Sequence, residues 1–393
     1  MLRQNRNILI IALIAVVNAL GYGIIIPVLY SYSMKYGLSD FQNGLLFSTF
    51  SAFQFISTPV IGRMSDKYGR RPLLIISLFG TALSFFIMAF APNWIFLFIA
   101  RALDGITAGN IPVASAVISD TTTQEQRAKG FGIIGASFGF GFIFGPAISA
   151  LTVSYSASLP FIIAGTISLI AVVMTAIFLP ETNKHIGEVK HSSLFNFKKL
   201  FHAVFDENVG PTLLITLLNA VSFSLMIFAY QPFSIKILHL SANQISLLFT
   251  MFGVVGLVTQ LFLVHRLTAL IGLKKLFSLA TLIISLVFFA IFFLKSLLPF
   301  VFASIFLGFS NSIIQPLIST ILSQETDAKS QGSILGLSAS FMSIGQILGP
   351  VIGGIIATLA IPYPFLGASI FSLLAFFLSF SVLKKGVKKE SAF

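Results

Sequence analysis

The chain reads as an all-α membrane protein, with twelve transmembrane helices in two six-helix pseudo-symmetric halves, and three observations point there. Of its 393 residues 56% are hydrophobic and 9% charged, with a mean hydropathy of +0.98. The apolar residues gather into twelve long stretches, and the second six repeat the first. No water-soluble globule of this size hides so much apolar surface, so most of it must face lipid.

Composition also excludes. The net charge of +12 raises nucleic acid as a partner, but the basic residues form short clusters between apolar runs instead of one basic face, so none is expected. With no cysteine there is no disulfide, thiolate zinc site or cysteine nucleophile. The histidines lie in loops with no serine–acid grouping nearby, and no glycine loop cradles a phosphate, so an enzyme, a cofactor and a metal are not expected. Arg3 and Arg6 precede an apolar run from Ile8 that resembles a signal peptide. No small-residue cleavage site follows Asn18-Ala19-Leu20-Gly21, so the segment reads as an uncleaved first span.

A hydrocarbon core about 30 Å thick takes about 20 apolar residues as helix. Stretches of that kind lie near 7–29, 42–62, 73–91, 95–118, 131–151, 159–179, 211–232, 243–264, 275–294, 298–320, 333–357 and 363–383. Runs such as Leu73 to Phe90 do not alternate, which excludes a barrel. An even number of spans puts both termini on one side. With the termini inside, the inner segments carry 20 of the 24 lysines and arginines and the outer loops three, Lys35, Lys236 and Lys295. Both termini are therefore expected in the cytoplasm, in a multi-pass inner-membrane protein.

The longest polar connection separates an N-terminal half (1–180) from a C-terminal half (211–393). The segment between them, 181–210, holds Lys184, His185, Lys190, His191 and His202 and reads as a solvated cytoplasmic linker with an amphipathic stretch; a metal or lipid-headgroup site is the alternative. The halves match when the second is slid back by just over two hundred positions. Asn18-Ala19 meets Asn219-Ala220, Lys35 meets Lys236, Ser39 and Gln42 meet Ser241 and Gln244, and Gly145-Pro146 meets Gly349-Pro350. Six spans per half keep both copies in one orientation. Such parallel repeats place a solute site near the midplane between the copies, the build of a secondary transporter.

The loop after span two reads Gly62-Arg63-Met64-Ser65-Asp66-Lys67-Tyr68-Gly69-Arg70-Arg71-Pro72. Asp66 among the cations can cap the start of span three and pair with a nearby arginine. A generic positive-inside loop explains the cations but not Asp66 with Gly62 and Gly69 at those spacings. The run resembles the signature loop of the major facilitator superfamily, Gly-x-x-x-Asp-Arg/Lys-x-Gly-Arg-Arg. The resemblance implies the major facilitator fold and a cytoplasmic gate of Gly62, Asp66, Gly69, Arg70, Arg71 and Asp120, with Asp66 and Arg70 tied to Asp120, the acid at the inner end of span four. The equivalent loop in the second half, from His265 to Lys275, lacks the acid.

Span four holds Arg101 and Asp104, three positions apart and so on one helix face. A mid-bilayer charge costs about 3 kcal/mol even on the lenient insertion scale, and such residues mark function. Arg101 with Gly105 and Gly109 resembles the family's span-four motif, credited with proton transfer. Asp104 is outside that motif and is the candidate proton carrier; a static pair that positions helices is the alternative. Span five carries Gly135, Gly139, Gly141 and Gly145-Pro146, which allow close helix approach and a kink. This resembles the antiporter motif of the exporter branch, although packing alone selects such glycines too.

The resemblance covers almost the whole chain and is to twelve-span drug:proton antiporters of the tetracycline-exporter type. Those exporters carry acids in spans one and three, where this chain has Asn18 and Ser84. The few polar side chains in the spans are the candidate cavity wall. In the first half these are Asn18, Tyr22, Gln54 and Asn110. In the second they are Asn219, Tyr230, Asn311, Gln315 and Gln346. Each also suits an interhelical hydrogen bond, and the repeat equivalents Asn18 and Asn219 are the strongest pair. The expectation is a monomeric exporter of small amphipathic compounds, with a small-molecule substrate, protons and membrane lipid as its partners. A metabolite uptake carrier or uniporter is the alternative within the class, and a non-transporting receptor or scaffold outside it.

Overall fold

Each expected span is a helix in the computed structural model, which describes residues 2–108, 110–122, 124–183, 186, 202–326 and 330–384; the side chains of 2–9, 111, 124–135 and 384 lie outside that description. The first half contains α1 (Leu2–Ile25), a short α2 (Leu29–Met34), α3 (Asp40–Tyr68), α4 (Arg70–Ala89), α5 (Trp94–Thr107), α6 (Asn110–Thr121), α7 (Gln124–Thr152) and α8 (Leu159–Phe178). The second contains α9 (Gly210–Lys236), α10 (Ala242–Val258), a π-helical turn (Thr259–Leu263), α11 (Val264–Ile271), α12 (Leu273–Phe293), α13 (Leu297–Gln324), α14 (Gln331–Ala357) and α15 (Tyr363–Lys384). Spans four and eight thus each run over two helices. Among the described residues ten spans are long and apolar enough to cross a membrane, and the described parts of α1 and α7, Ile10–Ile25 and Ala136–Thr152, add two shorter apolar helices. Among the described residues every backbone bond is local, within a helix or its adjoining turn, as hydrocarbon demands.

The chain divides into two compact units, Met1–Phe195 with His239–Gly253, and Asn196–Leu238 with Val254–Phe393. In the first unit α1 packs on α7 and α8, α4 on α8 and α5, and α3 on α5. Ile11 and Ile14 of α1, Leu74 and Leu78 of α4, and Val117 of α6 close a fully buried core in this bundle. Asn243, in the short segment assigned to this unit, donates to the Ala150 carbonyl of α7. In the second unit α9 packs on α14 and α15, and α12 on α13 and α15. Serines join its helices: Ser222 bonds Ser372 at 2.6 Å, Ser285 bonds Ser369 at 3.3 Å, and Ser278 bonds Ser379. Phe233 stacks on Phe300 and meets Phe365 edge-on.

Backbone detail carries the repeat further than residue identity does. Gly69 and Gly272 take φ/ψ of 104°/155° and 87°/146° between equivalent helices. Gly37 and His239 both sit in the left-handed region, at φ 76° and 55°. Ser39 with Gln42 forms a capping box on α3, and Ser241 with Gln244 makes the same reciprocal bonds on α10. Glycine suits the first three of these positions because a β-carbon is strained there.

Candidate functional site

Three helices of the first unit converge on one guanidinium. The Nη1 of Arg70, at the start of α4, donates to Asp66 Oδ1 at 2.5 Å and to Ser65 Oγ at 2.6 Å, both on α3. Its Nε donates to Asp120 Oδ2 on α6 at 3.2 Å. The structure therefore brings together the acid and arginine of the signature loop and the acid of span four. Lys67 and Tyr68 stay exposed beside them.

One expectation is corrected. Asp66 does not cap α4, because its carboxylate is turned to the Arg70 guanidinium. The cap is Glu181, just beyond α8, which accepts from the Arg70 N–H at 3.0 Å and the Arg71 N–H at 3.1 Å. Asn183 adds a bond from Nδ2 to the Asp66 carbonyl at 2.9 Å, and Arg71 Nη2 donates to the Ala176 carbonyl of α8. Sequence reasoning missed Glu181 and Asn183, yet a signal was present. Gly69-Arg70-Arg71-Pro72 opens a helix without Ser, Thr, Asp or Asn at its N-cap, so its first N–H groups need an acceptor from elsewhere. The signature glycines differ: a β-carbon at Gly69 would lie 2.4 Å from Glu181 Oε2, whereas one at Gly62 meets nothing within 4 Å.

Higher in the same unit, Arg101 Nη1 lies 3.2 Å from Asp104 Oδ2, with side chains only 5% and 10% exposed. These two are the only buried charged residues among the described ones. The guanidinium sits 4.5 Å over the Phe50 ring, and its Nε has no hydrogen-bond partner. A single contact at 3.2 Å is longer than the 2.7–2.9 Å typical of charge-assisted bonds, so the pair is loose for its depth. Tyr22 completes the surround, 6.1 Å from Phe50 and 5.9 Å from Phe142 between ring centres. Thr107 shares a hydroxyl contact with Thr81 at 3.2 Å and fits against Gly80, where a β-carbon would lie 2.2 Å from its Cγ2. Gly105 lets α5 reach α3: a β-carbon there would stand 2.4 Å from the Phe50 carbonyl. Gly109 lies outside the described residues.

The span-five glycines meet span one. A β-carbon at Gly141 would lie 2.3 Å from the Ala19 backbone, and one at Gly145 would lie 2.7 Å from Gly23. Pro146 is taken inside α7, and Gly139 lies on the same helix; the surroundings of Gly135 are outside the description.

The candidate cavity residues divide. Asn18 Nδ2 bonds the Ile14 carbonyl at 2.9 Å, and its Oδ1 accepts from Asn110 Nδ2 at 2.9 Å, tying α1 to α6. Asn110 Oδ1 is left without a partner. Gln54 is half-buried on α3. In the second unit the Tyr230 hydroxyl bonds Ser304 at 2.7 Å and the residue is 3% exposed, an interhelical bond. Gln315 is exposed and reaches Met342 Sδ at 3.5 Å. Asn311 and Gln346 are half-buried, as is Asn219, whose Nδ2 has no partner. Ser84, where related exporters carry an acid, is buried and bonds the Thr81 carbonyl at 2.7 Å.

Helices long and apolar enough to cross a membrane, with a buried ion pair in one bundle and an arginine–carboxylate network at its end, define a polytopic membrane protein. The family model of the Major Facilitator Superfamily matches residues 11–207 and 212–393. Multidrug resistance protein 2 of Bacillus subtilis (strain 168) is 27% identical over 397 residues, covering 100% of this chain and 98% of that protein. Tetracycline resistance protein, class B, of Escherichia coli is 30% identical over 376 residues, covering 91% and 90%. Among solved structures, a bacterial homolog to the human lysosomal transporter Spinster superposes with a TM-score of 0.77 at 15% identity, over 97% of each chain, and shares the fold. The chain belongs to the Major Facilitator Superfamily.

Proposed function

We propose that the protein exports small amphipathic, drug-like compounds across the cytoplasmic membrane by alternating access, in exchange for protons carried on Asp104. The observation that carries this is the buried Arg101–Asp104 pair, in a chain whose relatives include a multidrug and a tetracycline resistance protein. Protonating Asp104 removes the counter-ion of Arg101, which keeps only the Phe50 face, and so changes which helix packing is favoured. One charge moving down 100 mV supplies about 2.3 kcal/mol, enough to bias an alternating equilibrium. Forty-four phenylalanines and one buried acid suit a largely apolar, neutral or weakly charged solute. The lysine and arginine distribution supports cytoplasmic termini in the inner membrane. The protein works as a monomer, and the Asp66–Arg70–Asp120 network is its cytoplasmic gate.

The test is substrate flux in liposomes with and without an imposed pH gradient. Gradient-driven flux should exceed passive flux in the native protein and fall to the passive level in Asp104→Asn. Flux indifferent to the gradient would sink antiport; driven flux that survives Asp104→Asn would leave the pair a static helix clamp.

A further inference from the structure

We propose that Glu181 is a positioning residue for the cytoplasmic gate: it docks the chain leaving α8 onto the first turn of α4 and thereby sets Arg70 between Asp66 and Asp120. The inference rests on the gate reading above. Four backbone N–H groups converge on this one carboxylate, those of Arg70 and Arg71 at 3.0 and 3.1 Å and those of Thr182 and Asn183 at 2.9 and 2.8 Å. The first two open α4, where the helix dipole favours an anion and no local side chain caps. Arg70 is therefore held from two sides, its guanidinium by Asp66 and Asp120 and its backbone by Glu181.

Two further observations agree with this, and the first adds bonds that do not involve the carboxylate. Asn183 reaches back to the Asp66 carbonyl, and Arg71 to the Ala176 carbonyl, so the end of α8 and the signature loop are tied at three points. Gly69 leaves the space Glu181 occupies, since any β-carbon there would collide with Oε2 at 2.4 Å. The absence of a side chain at Gly69 thus has a structural partner in Glu181.

Because the protein has no cysteine, one introduced thiol is a unique reporter. Thr182 suits it, being 9% exposed with a hydroxyl that bonds nothing. Full-length Thr182→Cys in inside-out vesicles is labelled with a membrane-impermeant maleimide, with and without Glu181→Gln, and gradient-driven flux is measured per folded monodisperse protein. Glu181→Gln should raise the labelling rate about tenfold and lower maximal flux about tenfold at unchanged KM for substrate. Gly69→Ala, which displaces Glu181 without changing charge, should raise labelling likewise and decides the matter if Glu181→Gln does not fold. Asp66→Asn separates the two readings. If it abolishes flux while Glu181→Gln changes neither labelling nor flux, the gate stands and the positioning role of Glu181 is overturned. If Asp66→Asn leaves flux intact, the gate reading falls and this proposal with it.

Discussion

Arg101 and Asp104 show what a single residue contributes when apolar helices bury it. Removing one partner of a buried pair strands the other charge, which costs about 3–5 kcal/mol, whereas neutralising both costs far less. Asp104→Asn should therefore lower thermal stability in detergent more than Arg101→Gln combined with Asp104→Asn; equal losses would show that the charges are not mutually compensating. The pair itself was legible, because positions three apart on a helix face one way. Phe50 as the third member was not, since it comes from α3 and no local pattern announces a ring beneath a guanidinium. The same holds for Glu181, whose partners Arg70 and Arg71 lie more than a hundred positions away in the chain.

At the scale of elements, glycines that look alike in sequence carry different loads. On α7, Gly141 and Gly145 stand against the α1 backbone, so adding bulk there must push two helices apart. Gly141→Val should cost about 3 kcal/mol or prevent assembly, as overpacking of close contacts does. Gly62→Ala on α3, with nothing within 4 Å, should be neutral to stabilising by about 0.5 kcal/mol, as a helical glycine replaced without a clash generally is. Thermal unfolding of purified variants checks both, and equal effects would show that helix propensity, not contact, governs them. The glycine spacing announced a close approach; which helix would arrive depends on tertiary contacts absent from any window of sequence.

For the whole molecule, orientation is the exposed prediction. A thiol at Lys295→Cys should react with an impermeant maleimide in intact cells, and one at Arg266→Cys only after permeabilisation; the reverse would invert the topology. Span number and repeat were readable because apolar length is a local signal and because equivalent positions kept their residues. Gly69 and Gly272, like the two capping boxes, show that the backbone kept them too. The outer turns are less even. Gly37 adopts its left-handed backbone freely, but His239 holds the matching conformation with a β-carbon, which costs about 1 kcal/mol. Copies built to one plan thus differ in how firmly they close at the rim: the loop ahead of α10 keeps a small stored tension that its twin ahead of α3 lacks, and on heating it is the corner where fraying should begin.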